Sequence, residues 1–129
     1  MARPFIVTAE MAHRYARTHL FAEKYDVTDG ANTWIILLNG RDEIKGCFIA
    51  DDGIGDCIGI TRAALALEAK SVIVATWHTW GECTPTQSEM MHIGSIKKAL
   101  YSFDIHLTDC VILTDTSYFS FAEEKEVKR

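Results

Sequence analysis

The sequence predicts an α/β protein with a mixed β-sheet and helices on both faces of that sheet. Segments with helical periodicity alternate with apolar strands, in the order helix, two strands, helix, strand, helix, two strands. The 129 residues have the length of one domain, and 48% hydrophobic with 24% charged residues is a globular balance. Right-handed crossovers around the second and third helices would make their flanking strands parallel.

The first half of the chain predicts a helix followed by a hairpin. Thr8 is a suitable N-cap for a helix over residues 8–25. The apolar run Thr33–Leu38 is typical of a strand that is covered on both faces. Asn39-Gly40 is a strong hairpin signal, so residues 43–50 should return as an antiparallel strand.

The second half predicts two more helices and three strands. Residues 57–70, rich in alanine and leucine, indicate a helix, and residues 72–75 a short buried strand. Thr86 and Glu89 have the spacing of a capping box that opens a helix over 86–103. Strands are expected at 109–113 and 118–121, which gives a sheet of four or five strands. The mixed Glu/Lys tail, 123–129, is expected to be a solvated end without a role.

Charge and cysteine usage limit the possible functions. The formal net charge is −5, whereas non-specific nucleic-acid binding needs a positive face, so there is no strong nucleic-acid signal. No apolar run approaches the roughly 20 residues of a membrane span, and the N-terminus lacks the apolar stretch of a signal peptide. The four cysteines form no C-x-x-C pair, so we expect reduced thiols, a cytoplasmic protein and no membrane association.

One loop invites a chemical interpretation. Sites in α/β sheets gather beyond the carboxyl ends of parallel strands, and here that place is residues 76–89. This stretch contains His78, Cys83 and two tryptophans, Trp77 and Trp80, which we expect to be exposed. Because tryptophans are favoured in interfaces, Trp77 and Trp80 are candidate binding residues. The alternative is that one or both fold back onto the core.

Residues 75–89 resemble the metal motif of the RadC family, the bacterial branch of the JAB/MPN metalloprotease-like domains. That motif reads His-Asn-His-Pro-Ser-Gly-Asp-Pro-Thr-Pro-Ser-x-x-Asp, and His78, Gly81, Thr84 and Pro85 fall in register with it. Residues 104–113 and 118–123 look like the family's D-I-x-L-x-D-H-I-I-I and Y-F-S-F-x-E stretches. The resemblance covers residues 31–124. It implies a three-layer α/β/α JAB/MPN (cytidine-deaminase-like) fold, with 1–129 as a single domain that lacks the family's helix-hairpin-helix region.

The resemblance also implies a zinc site, which this chain carries in degenerate form. Family members bind zinc through two histidines and an aspartate, which leaves the fourth position to water. Thr76 replaces the first histidine, His78 matches the second, and Glu89 replaces the aspartate. Thr86 stands at the position of the family's serine. A threonine hydroxyl is a poor zinc ligand, because it is neutral and hard to deprotonate.

The general base is missing as well. The resemblance places a glutamate near the start of the first strand, where this chain has Ala31 and Asn32. The histidine that follows Asp109 in the family is Cys110 here. The first histidine ligand and the general base are therefore absent, and the aspartate ligand is altered to Glu89. We expect no bound cofactor, with zinc as the alternative.

A rebuilt zinc site is that alternative. Glu89 and His92 are three residues apart on a helix and share a face. Together with His78, and with Cys83 as a further donor, they would make a relocated set of N/O/S ligands. The simpler interpretation makes His78 a backbone-bonded loop residue, Glu89 part of the capping box and His92 a surface residue. Cys83 precedes a helix, so it is also a candidate nucleophile or, more simply, an unreactive thiol.

Two functions remain compatible with these residues. The first is a RadC-like JAB domain protein with a degraded zinc-hydrolase site, which is non-catalytic and binds another protein or a second copy of itself. The second is a zinc-dependent metallohydrolase or peptidase with a rebuilt site. The family is commonly labelled DNA repair, but the acidic charge of this chain argues against direct DNA binding. A cytidine-deaminase activity is rejected, because the H-x-E and P-C-x-x-C signatures are absent.

Overall fold

The computed structural model describes residues 3–21, 32–50, 53–79 and 81–128. Within these ranges the chain forms three α-helices and six strands: α1 (Ala9–Tyr15), β1 (Thr33–Leu38), β2 (Ile44–Ile49), α2 (Cys57–Ala66), β3 (Ser71–Trp77), α3 (Gln87–Tyr101), β4 (His106–Leu113), β5 (Ser117–Ser120) and β6 (Lys125–Lys128). A π-helical segment, Ala16–Leu20, continues α1, and a 3-10 turn, Gly53–Gly55, precedes α2. No helix in the described part of the chain is long and apolar enough to cross a membrane.

The strands form one mixed sheet in the order β2-β1-β3-β4-β5-β6. Strands β3 and β4 are parallel, and every other neighbouring pair is antiparallel. Both β2 and β3 are antiparallel to β1, so the strands that flank α2 run in the same direction, as do those that flank α3. The predicted mixed sheet is confirmed, as is the predicted hairpin at one side of it.

The sheet separates two apolar cores. On one face, Ile36 and Leu38 of β1 pack with α1, and on the other face Ile35 and Leu37 pack with α2 and α3. All four side chains are buried, because successive residues of a strand point to opposite faces and both faces are covered. The three-layer α/β/α arrangement that the sequence predicted is confirmed.

Helices α2 and α3 end earlier than the sequence suggested, at Ala66 and Tyr101. Each end has an acidic residue in the left-handed region, Glu68 (φ 54) and Asp104 (φ 59). The residue after the left-handed one then donates its N–H back to the last turn of the helix. At the end of α2, the Ala69 N–H donates to the Ala64 carbonyl at 2.9 Å. These are Schellman ends, which usually carry glycine or asparagine, so the sequence held no clear stop signal.

The C-terminus also differs from the prediction. Residues 125–128 form the edge strand β6 rather than a solvated tail, so the sheet has six strands instead of four or five. Strand β6 pairs with β5 over four residues, and its Val127 packs against the core on the α1 face. One apolar residue in a Lys-Glu-Val-Lys run is a weak strand signal, because alternation needs several periods to be recognised. The predicted helical residues 22–25 lie outside the described ranges.

Candidate functional site

The loop that follows β3 lies across the carboxyl ends of the two parallel strands. The His78 N–H donates to the carbonyl of Leu113, the last residue of β4, at 2.9 Å. The Trp77 N–H donates to the Asn32 carbonyl at 2.8 Å, which ties the end of β3 to the start of β1. The loop therefore starts at the position where ligand sites form in sheets of this kind, as the sequence predicted.

His78 is enclosed, with a side chain that is 0% exposed. Its Nδ1 lies 2.7 Å from the Glu82 carbonyl oxygen, and its Nε2 lies 2.7 Å from Oε2 of Glu89. A carbonyl and an ionised carboxylate both accept hydrogen bonds, so each ring nitrogen of His78 faces an acceptor. Both nitrogens are therefore engaged by protein groups in this arrangement.

Glu89 has both carboxylate oxygens engaged. Its Oε1 accepts from the Thr86 N–H at 2.8 Å, while the Glu89 N–H donates to Oγ1 of Thr86 at 3.0 Å. This is the predicted capping box, and Oε2 adds the contact with His78. Burial alone would raise the pKa of Glu89, but the hydrogen bonds from His78 and from the Thr86 amide lower it below its usual value. Glu89 therefore fixes the loop to the first turn of α3.

Neutral hydroxyls lie at the position of the missing histidine. Thr76 and Thr33 are directly opposite each other on β3 and β1, and their Oγ1 atoms are 2.9 Å apart. The Thr76 hydroxyl also donates to the Asn32 carbonyl at 3.2 Å. Both threonines are buried. A side chain on Gly53 would begin only 3.8 Å from Oγ1 of Thr33, so the 3-10 turn lies close over this threonine pair.

Asn32 occupies the region where the family's general base was expected. Its side-chain amide donates to the Trp77 carbonyl at 3.3 Å, so it bridges the start of β1 and the end of β3. An amide has no proton-accepting group in the pKa range that general-base catalysis needs. The neighbouring position, Ala31, lies outside the described residues.

Cys83 is buried at the far end of the loop and does not join His78. The Ser117 hydroxyl donates to its Sγ at 3.3 Å, and Ser117 is in turn 3.0 Å from the hydroxyl of Thr114. Burial raises the pKa of the Cys83 thiol, although the Ser117 hydrogen bond offsets part of that effect. A raised pKa opposes the thiolate that a nucleophile or a metal ligand requires. The contact anchors the loop to the β4–β5 connection.

His92 is also separate from the His78–Glu89 pair. It is exposed on α3, and a Cβ on Gly55 would lie 3.5 Å from its ring. Within the described ranges, no group of three His, Cys, Asp or Glu side chains is placed to hold a metal ion. The ligand set proposed from His78, Glu89, His92 and Cys83 is therefore not assembled there.

Trp77 is not an exposed loop residue, and that expectation was wrong. It is the last residue of β3 and is only 5% exposed. Its ring packs against Phe21 at a centroid distance of 5.4 Å, and the guanidinium of Arg17 lies 5.3 Å from the ring centre. The alternative, folding back onto the core, describes it correctly. Trp80 lies outside the described residues, so its role in binding stays a prediction.

The donor chemistry at these positions does not fit a catalytic zinc. Such an ion takes three charged or imidazole ligands from the protein and keeps one water. The corresponding positions supply the neutral hydroxyl of Thr76, the doubly hydrogen-bonded His78 and the carboxylate of Glu89. The sequence indicated that one zinc ligand is missing. It did not indicate that the two remaining groups, His78 and Glu89, hydrogen-bond to each other.

The family model described as the RadC-like JAB domain matches residues 6–126. The chain belongs to the RadC-like JAB domain family. It is 42% identical to a UPF0758 protein of Cupriavidus pinatubonensis over 69 residues, which are 54% of this chain and 30% of that relative. It is 31% identical to a UPF0758 protein of Flavobacterium johnsoniae over 96 residues, which are 70% of this chain and 42% of that relative. The chain thus matches well under half the length of these relatives.

Membership in the RadC-like JAB domain family confirms the resemblance read from the motifs. The mixed six-stranded sheet with helices on both faces agrees with the JAB/MPN fold. Asp109, in the family's D-I-x-L-x-D stretch, is buried and accepts hydrogen bonds from the Ser120 hydroxyl and from the amides of Cys110 and Ala122. It ties β4 to the end of β5 and to the turn between β5 and β6, so part of the motif match reflects the architecture of the fold.

Proposed function

We propose that this RadC-like JAB domain carries a degraded hydrolase site, is non-catalytic, and acts by binding another protein. One observation supports this proposal most strongly. The two groups that remain of the zinc motif, His78 and Glu89, are 2.7 Å apart and bonded to each other. Their remaining hydrogen-bonding atoms hold the Glu82 carbonyl and the Thr86 amide. These contacts give both residues a structural role in the loop.

The threonine pair supports the same proposal. Zinc-dependent hydrolysis needs a metal-bound water and a base with a pKa near neutrality. Thr33, Thr76 and Asn32 are neutral groups that hydrogen-bond one another at the expected positions of the base and the first ligand. A scaffold that keeps its shape but lacks these groups suits a binding module. We also propose a cytoplasmic location, in keeping with four cysteines that are free thiols.

Metal content tests the proposal directly. The protein is purified without a histidine tag or chelator, incubated with zinc, desalted, and measured by elemental analysis and for peptide hydrolysis. We expect far less than one zinc per chain and no hydrolysis above background. His78→Ala and the matched control His92→Ala should then give the same metal content as the unmodified chain. One zinc per chain that His78→Ala removes and His92→Ala retains would refute the proposal.

The second candidate is a zinc-dependent hydrolase with a rebuilt site. The convergence of His78 Nε2 and Glu89 Oε2 favours it, because two ligands of one ion also need to point at a common place. This candidate requires at least one further donor from outside the described residues, such as a neighbouring chain. It predicts zinc uptake that breaks the hydrogen bond between His78 and Glu89. Imidazole ¹⁵N NMR of the unmodified chain, with and without zinc, would detect that change.

A further inference from the structure

A groove between α2 and α3 lies on the face of the sheet opposite to α1. It encloses about 300 Å³. Its walls are mostly apolar, and besides Cys57 they include Ile58, Thr61, Arg62 and Leu65 of α2, Ala99 of α3, and Phe103. The two helices also contact each other directly. For example, the Cys57 Sγ lies 3.7 Å from the Ser95 carbonyl oxygen. We call this feature the α2–α3 groove.

Several large apolar side chains that line the α2–α3 groove are exposed to solvent. Ile58 is 72% exposed, Phe103 53% and Leu65 42%. Covering such side chains with a partner removes apolar surface from water, which favours binding. Scattered exposed apolar residues are common on proteins, but several around one concavity mark a binding surface.

The charged side chain that lines the groove has the sign opposite to the net charge of the chain. The whole chain has a formal net charge of −5. Arg62 of α2 is the charged residue among the described residues that line the groove, and Lys98 directly precedes the lining residue Ala99 on α3. Arg62 makes no ion pair or hydrogen bond within the described ranges. A cation on the wall of an apolar groove, with no carboxylate among the described lining residues, is complementary to an acidic partner.

We propose that the α2–α3 groove binds an acidic amphipathic helix of a partner protein. This inference rests on the proposed binding function and names its surface and the chemistry of its partner. In helix-in-groove recognition, apolar anchors at helical spacing fill a cleft while polar residues flank it. The anchors would contact Ile58, Leu65 and Phe103, and carboxylates beside them would pair with Arg62 and Lys98. A concave cleft between two helices suits a helix better than a flat lipid surface.

Two synthetic peptides serve as probes. Each has about 18 residues with leucines at helical i, i+3, i+4 and i+7 spacing; one carries Glu at the flanking positions and the other carries Lys. Binding is measured by fluorescence anisotropy, and ¹⁵N chemical-shift changes locate the contact. We expect the acidic peptide to bind at least about tenfold more tightly than the basic one, with affinity falling as salt rises. The shifts should concentrate in residues 57–66 and 95–103.

Matched variants test the location. Arg62→Glu should weaken binding of the acidic peptide about tenfold, while Lys128→Glu, the same change on the edge strand β6, should leave it unchanged. Ile58→Ser should also weaken binding, whereas Tyr101→Ser, at a residue 77% exposed on α3 but outside the groove lining, should not. All four sites are exposed, so thermal unfolding should match the unmodified protein and exclude misfolding as the cause.

Several outcomes would overturn the inference. Equal binding of both peptides, shift changes centred on α1, or equal effects of Arg62→Glu and Lys128→Glu would each do so. Binding to phosphatidylserine vesicles without peptide binding would assign the groove to a membrane surface. A dimer in sedimentation that Ile58→Ser dissociates would assign it to a second copy of the chain. None of these results changes the zinc and hydrolysis measurements, so failure of this inference is distinguishable from failure of the proposed function.

Discussion

The contact between His78 and Glu89 makes a quantitative prediction for the substitution Glu89→Gln. Glutamine keeps the size of the side chain and an oxygen that can accept from the Thr86 amide, but it removes the carboxylate charge beside the His78 ring. The affected pair is almost enclosed, since the side chains are 0% and 12% exposed. The substitution therefore isolates the charge of the pair from its shape and from the capping box.

The expected cost follows from the burial of the pair. A hydrogen bond to a charged group contributes about 1.5–3 kcal/mol, and breaking a fully buried ion pair costs about 3–5 kcal/mol. Because Glu89 keeps some contact with water and glutamine still accepts a hydrogen bond, we expect a loss of about 2 kcal/mol near pH 7. For a chain of this length that corresponds to a decrease of about 8 °C in the unfolding temperature.

The loss of stability caused by Glu89→Gln should depend on pH, and it should be smaller in acid than near neutral pH. The pKa of Glu89 in the folded protein lies below its ordinary value of 4.5, so its charge stabilises the fold above that pH. The contribution disappears as the pH falls through the lowered pKa, because the folded carboxylate is then protonated. The difference between the unmodified chain and Glu89→Gln should therefore be constant near neutral pH and shrink as the pH falls below the ordinary value of 4.5.

Urea unfolding at several pH values measures this difference. Glu82→Gln is the matched control, because it makes the same change in the same loop at an exposed residue. The free energies of unfolding of the control and the unmodified chain should agree within about 0.5 kcal/mol. If Glu89→Gln costs no more than Glu82→Gln near pH 7, or if its cost does not vary with pH, the stabilising role assigned to the Glu89 carboxylate is wrong.

Three further substitutions have defined expectations, each measurable by urea unfolding. Trp77→Ala should destabilise the protein by about 3–5 kcal/mol, while Tyr101→Ala on the exposed side of α3 should change stability by less than about 0.5 kcal/mol; equal effects would contradict the burial of Trp77. Asp109→Ala should cost about 2–4 kcal/mol, because the Ser120 hydroxyl and two amides lose their acceptor; a neutral result would contradict that network. Glu68→Gly should stabilise the fold by about 0.5–1 kcal/mol, since glycine adopts the left-handed conformation at the end of α2 without strain; destabilisation would show that the Schellman end is wrong.

Periodicity and capping signals were sufficient to predict most of the fold. The bounds of β1 agree with the prediction because all six residues of the run are apolar or β-branched and flanked by polar residues. The capping box at Thr86 was also predicted correctly, since its spacing is local and needs no tertiary information. Strand β6 was missed because its pairing with β5 is a tertiary contact that its own residues hardly specify.

The candidate site could be predicted only in part. The sequence placed the loop after β3 and identified the positions where the zinc motif is altered. It did not reveal that Trp77 is buried, because the same residue at the end of a strand can face either the core or the solvent, and the packing with Phe21 decides this. Nor did it reveal the threonine pair, which exists because antiparallel pairing sets Thr33 directly opposite Thr76.

Under the proposed function, the pair of His78 and Glu89 explains how the loop keeps its position without a metal. A zinc ion would join an imidazole and a carboxylate by binding both, and it would hold a third ligand on β3 as well. Here the third position is Thr76, and a proton between Nε2 and Oε2 joins the first two groups at 2.7 Å. A proton bridges two ligands but cannot activate a water, so the loop retains its attachment to α3 while the hydrolytic chemistry is lost. Glutamate suits this role better than aspartate, because its extra methylene lets one carboxylate reach His78 and still cap the helix through the Thr86 amide.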